Sequence, residues 1–260
     1  MSVLRLTNCD LDSAALDLLS DVVPTMTSLR KLLIGINKLG AGGAVKLLLA
    51  LSHLPRLETL NMALMNIGCE DIRALSPLIT PSDRTHLKSL DIGDRSMSTE
   101  CVELMMMTLL SPSSLETLLI FQTNLTTSHS CFALLQENSN LRTLDVNLCP
   151  IGSHTTSSLA RALETNSTME ELDISSLTVP VAHQIGTDGA VALSLALRAN
   201  KVLKKLWIKS DKSIGKTGAR ALVTTLQHNR TLRLLSLRKD YSKHFTSVKV
   251  DSRIKCKIEF

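Results

Sequence analysis

One arrangement of apolar and polar positions recurs along the chain. It runs Leu, two variable residues, Leu, one variable residue, an aliphatic residue, then two variable residues and a small or polar ninth position. It reads LRKLLIGIN from Leu29, LETLNMALM from Leu57, LKSLDIGDR from Leu87 and LETLLIFQT from Leu115. It continues as LRTLDVNLC from Leu141, MEELDISSL from Met169, LKKLWIKSD from Leu203 and LRLLSLRKD from Leu232, and MSVLRLTNC from Met1 keeps the same register. Successive starts lie 28, 28, 30, 28, 26, 28, 34 and 29 residues apart, a register that chance does not hold nine times.

Each unit divides into two elements. The L-x-L centre alternates with period two, which predicts a short strand with one face buried. The second half switches to helical spacing. Ala44, Leu47, Leu48 and Leu51 form one stripe, as do Leu159, Ala162 and Leu163, and again Ala190, Leu193 and Leu197. Glycines 40, 68, 152, 186 and 215 fall between strand and helix, where a tight bend suits Gly. Pro24, Pro55 and Pro112 fall near expected helix ends. One strand and one helix cannot close a core alone, so neighbouring units must stack into a continuous one.

On these residues the chain resembles the leucine-rich repeat family, in its long ribonuclease-inhibitor-like subtype. The unit L29-x-x-L32-x-I34-x-x-N37-x-L39-G40-x-x-G43-x-x-x-L47-x-x-x-L51 matches best. The resemblance implies an α/β solenoid, a right-handed horseshoe with parallel strands on its concave face and helices on its convex face. The repeat domain spans 1–240, and 241–260 is a non-repeat segment suited to cap it. The family's ninth position is usually Asn or Cys, bonding the backbone between turns. Here it reads Cys9, Asn37, Met65, Arg95, Thr123, Cys149, Leu177, Asp211 and Asp240, which predicts an irregular ladder in the middle units. The seventh unit carries about six extra residues around 178–184, expected to bulge as a loop on one rim. VKVDSRIKCKIEF at the C-terminus alternates apolar and basic residues and predicts a strand or hairpin over the last repeat.

Composition narrows the class. The chain has 260 residues, 44% hydrophobic and 20% charged but only 2% aromatic, so aliphatic side chains must build the core. No apolar run approaches the ~18–20 residues of a membrane span. No basic region followed by a long apolar stretch marks a leader. Six scattered cysteines without a CxxC pair predict reduced thiols and a cytoplasmic protein, with Cys9 and Cys149 as buried structural thiols. The acceptor sequons at Asn124, Asn166 and Asn229 then read as chance matches. The net charge of +5 hides an asymmetry: residues 1–200 carry net −7 and residues 201–260 net +12. Such a chain can attract partners of either sign at different ends.

Catalytic and cofactor signatures are weak. SIGKTGA at 213–219 contains the Gly-Lys-Thr of a phosphate-binding loop, but position 210, where the full motif needs Gly, is Ser. Ile214, Gly215 and Gly218 also fall on the repeat's own bend. The seven histidines show no metal-ligand spacing, and there is no GxSxG elbow. Met105, Met106 and Met107 lie on a helical pattern and read as core. The sequence thus predicts no enzyme, no cofactor and no metal site.

The outward positions between core leucines remain. Position five reads Arg5, Leu33, Asn61, Asp91, Leu119, Asp145, Asp173, Trp207 and Ser236, and position seven includes Phe121, Lys209 and Arg238. The second and third units are apolar there (Leu33, Ile36, Leu64), the fourth, sixth and seventh acidic (Asp91, Asp94, Asp145, Asp173), the last two basic around the single Trp. Trp and Arg are favoured interface anchors. The candidate partner-binding residues on the concave face are therefore Leu33, Asp91, Leu119, Phe121, Asp145, Asp173, Trp207, Lys209 and Arg238. The expected function is binding of a protein partner. The resemblance implies the sensor or autoinhibitory repeat region of a NOD-like innate immune receptor, with a nucleotide-binding domain preceding this chain; the abrupt start on a repeat strand fits that reading. A free-standing scaffold, inhibitor or GTPase regulator is the alternative. Nucleic acid is disfavoured because the basic end lacks interleaved aromatics.

Overall fold

The computed structural model describes residues 1–80, 86–110, 113–128, 131–175, 184–209, 212–237 and 257–259. It divides into two compact units, Met1–Thr123 and Asn124–Phe260. In the first, strands β1 (Val3–Arg5), β2 (Lys31–Leu33), β3 (Thr59–Asn61), β4 (Ser89–Asp91) and β5 (Thr117–Leu119) pair in parallel in chain order. Between them run helices α1 (Ser13–Val22), α2 (Val45–Leu51), α3 (Cys69–Ile79) and α4 (Thr99–Leu110). In the second, β6 (Thr143–Asp145), β7 (Glu171–Asp173), β8 (Lys205–Ile208), β9 (Leu234–Leu237) and β10 (Lys257–Glu259) pair in parallel, with α5 (Ser153–Thr165), α6 (Gly186–Ala199) and α7 (Gly215–Thr225) between strands. All nine L-x-L segments are strands, and each unit is an α/β repeat stack. The tenth strand comes from the C-terminal segment. The 178–184 insertion falls almost wholly outside the described residues.

Register explains the core. Strands β2 to β9 each bury a leucine at the same register position, so Leu32, Leu60, Leu90 and Leu118 form one fully buried row in the first unit and Leu144, Leu172, Leu206 and Leu235 another in the second, while Leu4 of the edge strand β1 is half-buried. The predicted helical stripes are buried against them, including Leu47, Leu48 and Leu51, Leu159 and Leu163, and Leu193 and Leu197. Met105 and Met106 join the core, but Met107 faces outward at 57% exposure. The fifth repeat departs from one helix per repeat: Cys131–Gln136 is a 3-10 turn. Its repeat is the shortest, 26 residues. Phe132 of this turn is fully buried.

Buried polar side chains stitch neighbouring repeats. The Asn37 amide accepts from the Cys9 and Leu11 amides at 3.0 and 3.1 Å and donates to the Leu6 carbonyl at 2.9 Å, as the ninth position requires. A second ladder in the second unit was not anticipated. Asn166, Asn200 and Asn229 each stand three residues before a strand's first core residue. Asn200 Nδ2 donates to the Leu163 carbonyl at 2.7 Å, and its Oδ1 accepts from the Leu203 amide at 2.7 Å. Asn229 does the same toward Leu197 and Leu232. Asn166 and Asn229 are thereby buried, which fits their sequons being chance matches.

Several expectations need correcting. Cys69 and Cys101 form a disulfide between the starts of α3 and α4, with Cα atoms 4.9 Å apart, so the thiols are not all reduced. Cys69 and Cys101 lie in consecutive repeats that start 30 residues apart at Leu57 and Leu87, and stacking sets these helix starts side by side, which sequence separation conceals. Cys9 is exposed rather than buried, while Cys149 is buried as expected. Asp94 is not an outward acid: it is buried, and its Oδ2 accepts from the Asn66 amide at 2.6 Å. Ser236 is buried as well.

Candidate binding face on the strands

Parallel register carries the position-five side chains into one row per unit. In the first unit the row is Leu33, Asn61, Asp91 and Leu119. All four are half-buried, and Asn61 donates its amide to Asp91. Phe121 is half-buried two residues beyond Leu119. Position seven is small in the units before it because the next strand's backbone lies close: a Cβ on Gly93 would collide with the backbone of Phe121.

In the second unit the row is Asp145, Asp173, Trp207 and Ser236. Two carboxylates on adjacent strands stand beside the half-buried indole. Asp145 and Asp173 are held alike: each Oδ1 accepts from the backbone amide two residues on, Asn147 at 2.9 Å and Ser175 at 2.8 Å. Burial pushes the Asp173 carboxyl above its ordinary range. The Ser175 hydrogen bonds and Lys209 oppose this, and the Asp145 charge adds to it. Lys205 Nζ lies 5.9 Å from the Trp207 ring centroid and also pairs with Glu171 at 2.7 Å. Lys209 is exposed. The predicted residues thus assemble as two clusters: Leu33, Asp91, Leu119 and Phe121 in one unit, Asp145, Asp173, Trp207 and Lys209 in the other. Arg238 lies outside the described residues.

Two features escaped the sequence reading. Position two alternates in sign: Arg30 pairs with Glu58, Lys88 with Glu116 at 2.8 Å, and Glu170 with both Arg142 at 3.1 Å and Lys204 at 2.6 Å. The Lys204 hydrogen bond and the nearby cations hold the Glu170 carboxyl below its usual range. Such exposed pairs add little stability each, but opposite signs favour one stacking order. Aligning the repeats by position two rather than by leucines would have revealed it. The second feature is a groove of about 600 Å³ at the strand ends of the first unit, with Asn8, Ile36 and Leu64 in its wall. These residues share positive φ, 55°, 62° and 56°, at position eight. Gln122 and Leu148 repeat it at 59°, so the left-handed turn belongs to the repeat and not to one strained site.

Among the described residues no group of three or more His, Cys, Asp or Glu could hold a metal ion. None of their helices is long and apolar enough to cross a membrane.

No protein-family model matches the chain. It is 28% identical over 208 residues to ribonuclease inhibitor of Sus scrofa, an alignment covering 67% of this chain and 45% of that protein. The chain thus spans about half the length of this curated relative. Among solved structures it is similar to the leiomodin-1 actin-binding site 2, at 19% identity and a TM-score of 0.41, over 54% of this chain and 78% of that one. With its parallel strands, intervening helices and recurring leucine register, the chain is an α/β repeat stack similar to ribonuclease inhibitor, a leucine-rich repeat protein.

Proposed function

We propose that the chain is a non-enzymatic module that binds a protein partner on its strand face. The observation carrying this reading is the row Asp145, Asp173 and Trp207. A large amphipathic ring sits beside two carboxylates that are only partly solvated. A partner's basic side chain laid across the carboxylates recovers the solvation that burial withholds, while its apolar surface covers the indole. Leu33, Leu119 and Phe121 extend apolar area in the first unit. Similarity to ribonuclease inhibitor, named for acting on another protein, supports a protein partner.

The role within a cell follows one of two lines. In the first, these repeats are the sensor or autoinhibitory region of a NOD-like receptor, with a nucleotide-binding domain encoded upstream. In the second, they act as a free-standing scaffold, inhibitor or GTPase regulator. A phosphate-binding-loop domain in frame upstream decides for the first. Action in the cytoplasm requires Cys69 and Cys101 to be reduced there.

The binding test replaces Trp207 by Ala and, separately, the exposed α5 residue Arg161 by Ala. Affinity is then measured for a partner recovered by pull-down. Loss of about tenfold or more with Trp207→Ala alone, at unchanged melting temperature, is expected. Equal, small effects from both changes would sink the reading.

A further inference from the structure

The helix side of the second unit carries a feature that the strand-face reading leaves unused. Helices α6 and α7 approach closely because Gly218 faces Ala190: a Cβ on Gly218 would stand 2.8 Å from the Ala190 Cβ. Their outer faces leave a groove of about 370 Å³, whose wall includes Leu195, Arg198, Arg220, Thr224 and His228. Leu195 is 54% exposed, a large aliphatic side chain turned to water. Arg198, Arg220 and His228 are exposed around it.

The two arginines lack the neutralisation seen elsewhere. On the helices of the first unit Lys46 pairs with Asp21 at 2.9 Å and Arg73 with Glu70 at 2.6 Å. At the strands Lys204 and Lys205 pair with Glu170 and Glu171. Arg198 and Arg220 form no ion pair among the described residues. The sequence offers them little: between Asp188 and Asp240 the only acidic residue is Asp211, against twelve Lys and Arg from 198 to 239. Asp188 lies in the first turn of α6, about 15 Å along the axis from Arg198 at a rise of 1.5 Å per residue.

We propose that this groove is a second binding surface, taking an acidic peptide segment of a protein partner. Arg198 and Arg220 receive carboxylates through their planar forks, and an aliphatic side chain of the segment covers Leu195. The uncompensated field steers the segment in; the apolar contact holds it. A nucleic acid would use the cations but not Leu195, and the groove wall holds no Phe, Tyr or Trp on which bases stack; Trp207 lies on a strand. The surface is independent of the Trp207 row, so either can fail without the other.

The experiment uses the whole chain and a fluorescein-labelled amphipathic peptide with Glu on one helical face and Leu on the other, read by anisotropy. Arg198→Glu combined with Arg220→Glu is expected to weaken binding about tenfold or more, and Leu195→Ala several-fold. Trp207→Ala is expected to leave it unchanged. All these positions except Trp207 are exposed, and unchanged melting curves confirm intact variants. Three outcomes would overturn the proposal: no binding by the wild-type chain, full affinity in the double variant, or displacement of the peptide by a single-stranded oligonucleotide of equal charge together with no effect of Leu195→Ala. The last would mark a general polyanion surface.

Discussion

Asp145 stands directly opposite Asp173 on adjacent parallel strands, two carboxylates facing the same side with Trp207 next in the row. Like charges placed opposite each other on a sheet oppose folding. Nothing in core packing asks for them, since the neighbouring row of leucines already supplies the buried contacts.

The pairing has a pH signature. The Asp173 carboxyl is raised above its ordinary value near 3.8, chiefly by burial. The folded chain therefore binds that proton more tightly than the unfolded chain. Its stabilising contribution is fully present below the ordinary range and is lost as pH rises through the folded value. Asp173→Asn removes this loss. The variant should be more stable than wild type at neutral pH, and the difference should shrink toward zero as pH falls below the carboxylate range. Urea denaturation across pH reads this directly; a difference that does not vary with pH contradicts it.

The Cys69–Cys101 link predicts a redox-dependent stability confined to the first unit. Reduction, or replacement of both residues by Ser, should lower stability by about 2–4 kcal/mol. Differential alkylation followed by mass spectrometry should find Cys69 joined to Cys101 and Cys9 as a free thiol. Recovery of Cys69 as a free thiol from oxidised protein would refute the pairing.

Asp71 is a buried carboxylate held wholly by backbone amides. Its oxygens accept from Gly42 at 2.8 Å, Ala44 at 2.9 Å and Gly68 at 2.8 Å, tying the start of α2 to that of α3. Asp71→Ala leaves those donors without an acceptor and should cost about 1–3 kcal/mol. Hydrogen exchange should show the added opening at 40–45 and 68–72 before it appears elsewhere.

Leu144 on β6 is fully buried in the second unit. Leu144→Ala should cost about 2–5 kcal/mol. Because each repeat touches only its neighbours, the loss of exchange protection should concentrate in β6, β7 and the helix between them. Melting within a degree of wild type would contradict the burial.

The sequence by itself determined the repeat, its strands and the buried leucine rows. Each repeat states its strand register locally in a nine-residue pattern, and stacking the same pattern leaves one self-consistent register. Leu33, Leu119, Asp145, Asp173 and Trp207 were legible as outward residues for the same reason, since alternation on a strand sets the face. The Asp94 expectation failed because position eight lies where the strand turns, and alternation no longer says which way a side chain points. Only the tertiary structure decided which repeats meet side by side at a given depth. That stacking joined Cys69 to Cys101 and aligned Asn166, Asn200 and Asn229 into a buried ladder. It also opened the Leu195–Arg220 groove between α6 and α7. These depend on distances between residues about one repeat apart, set by how helices of unequal length pack.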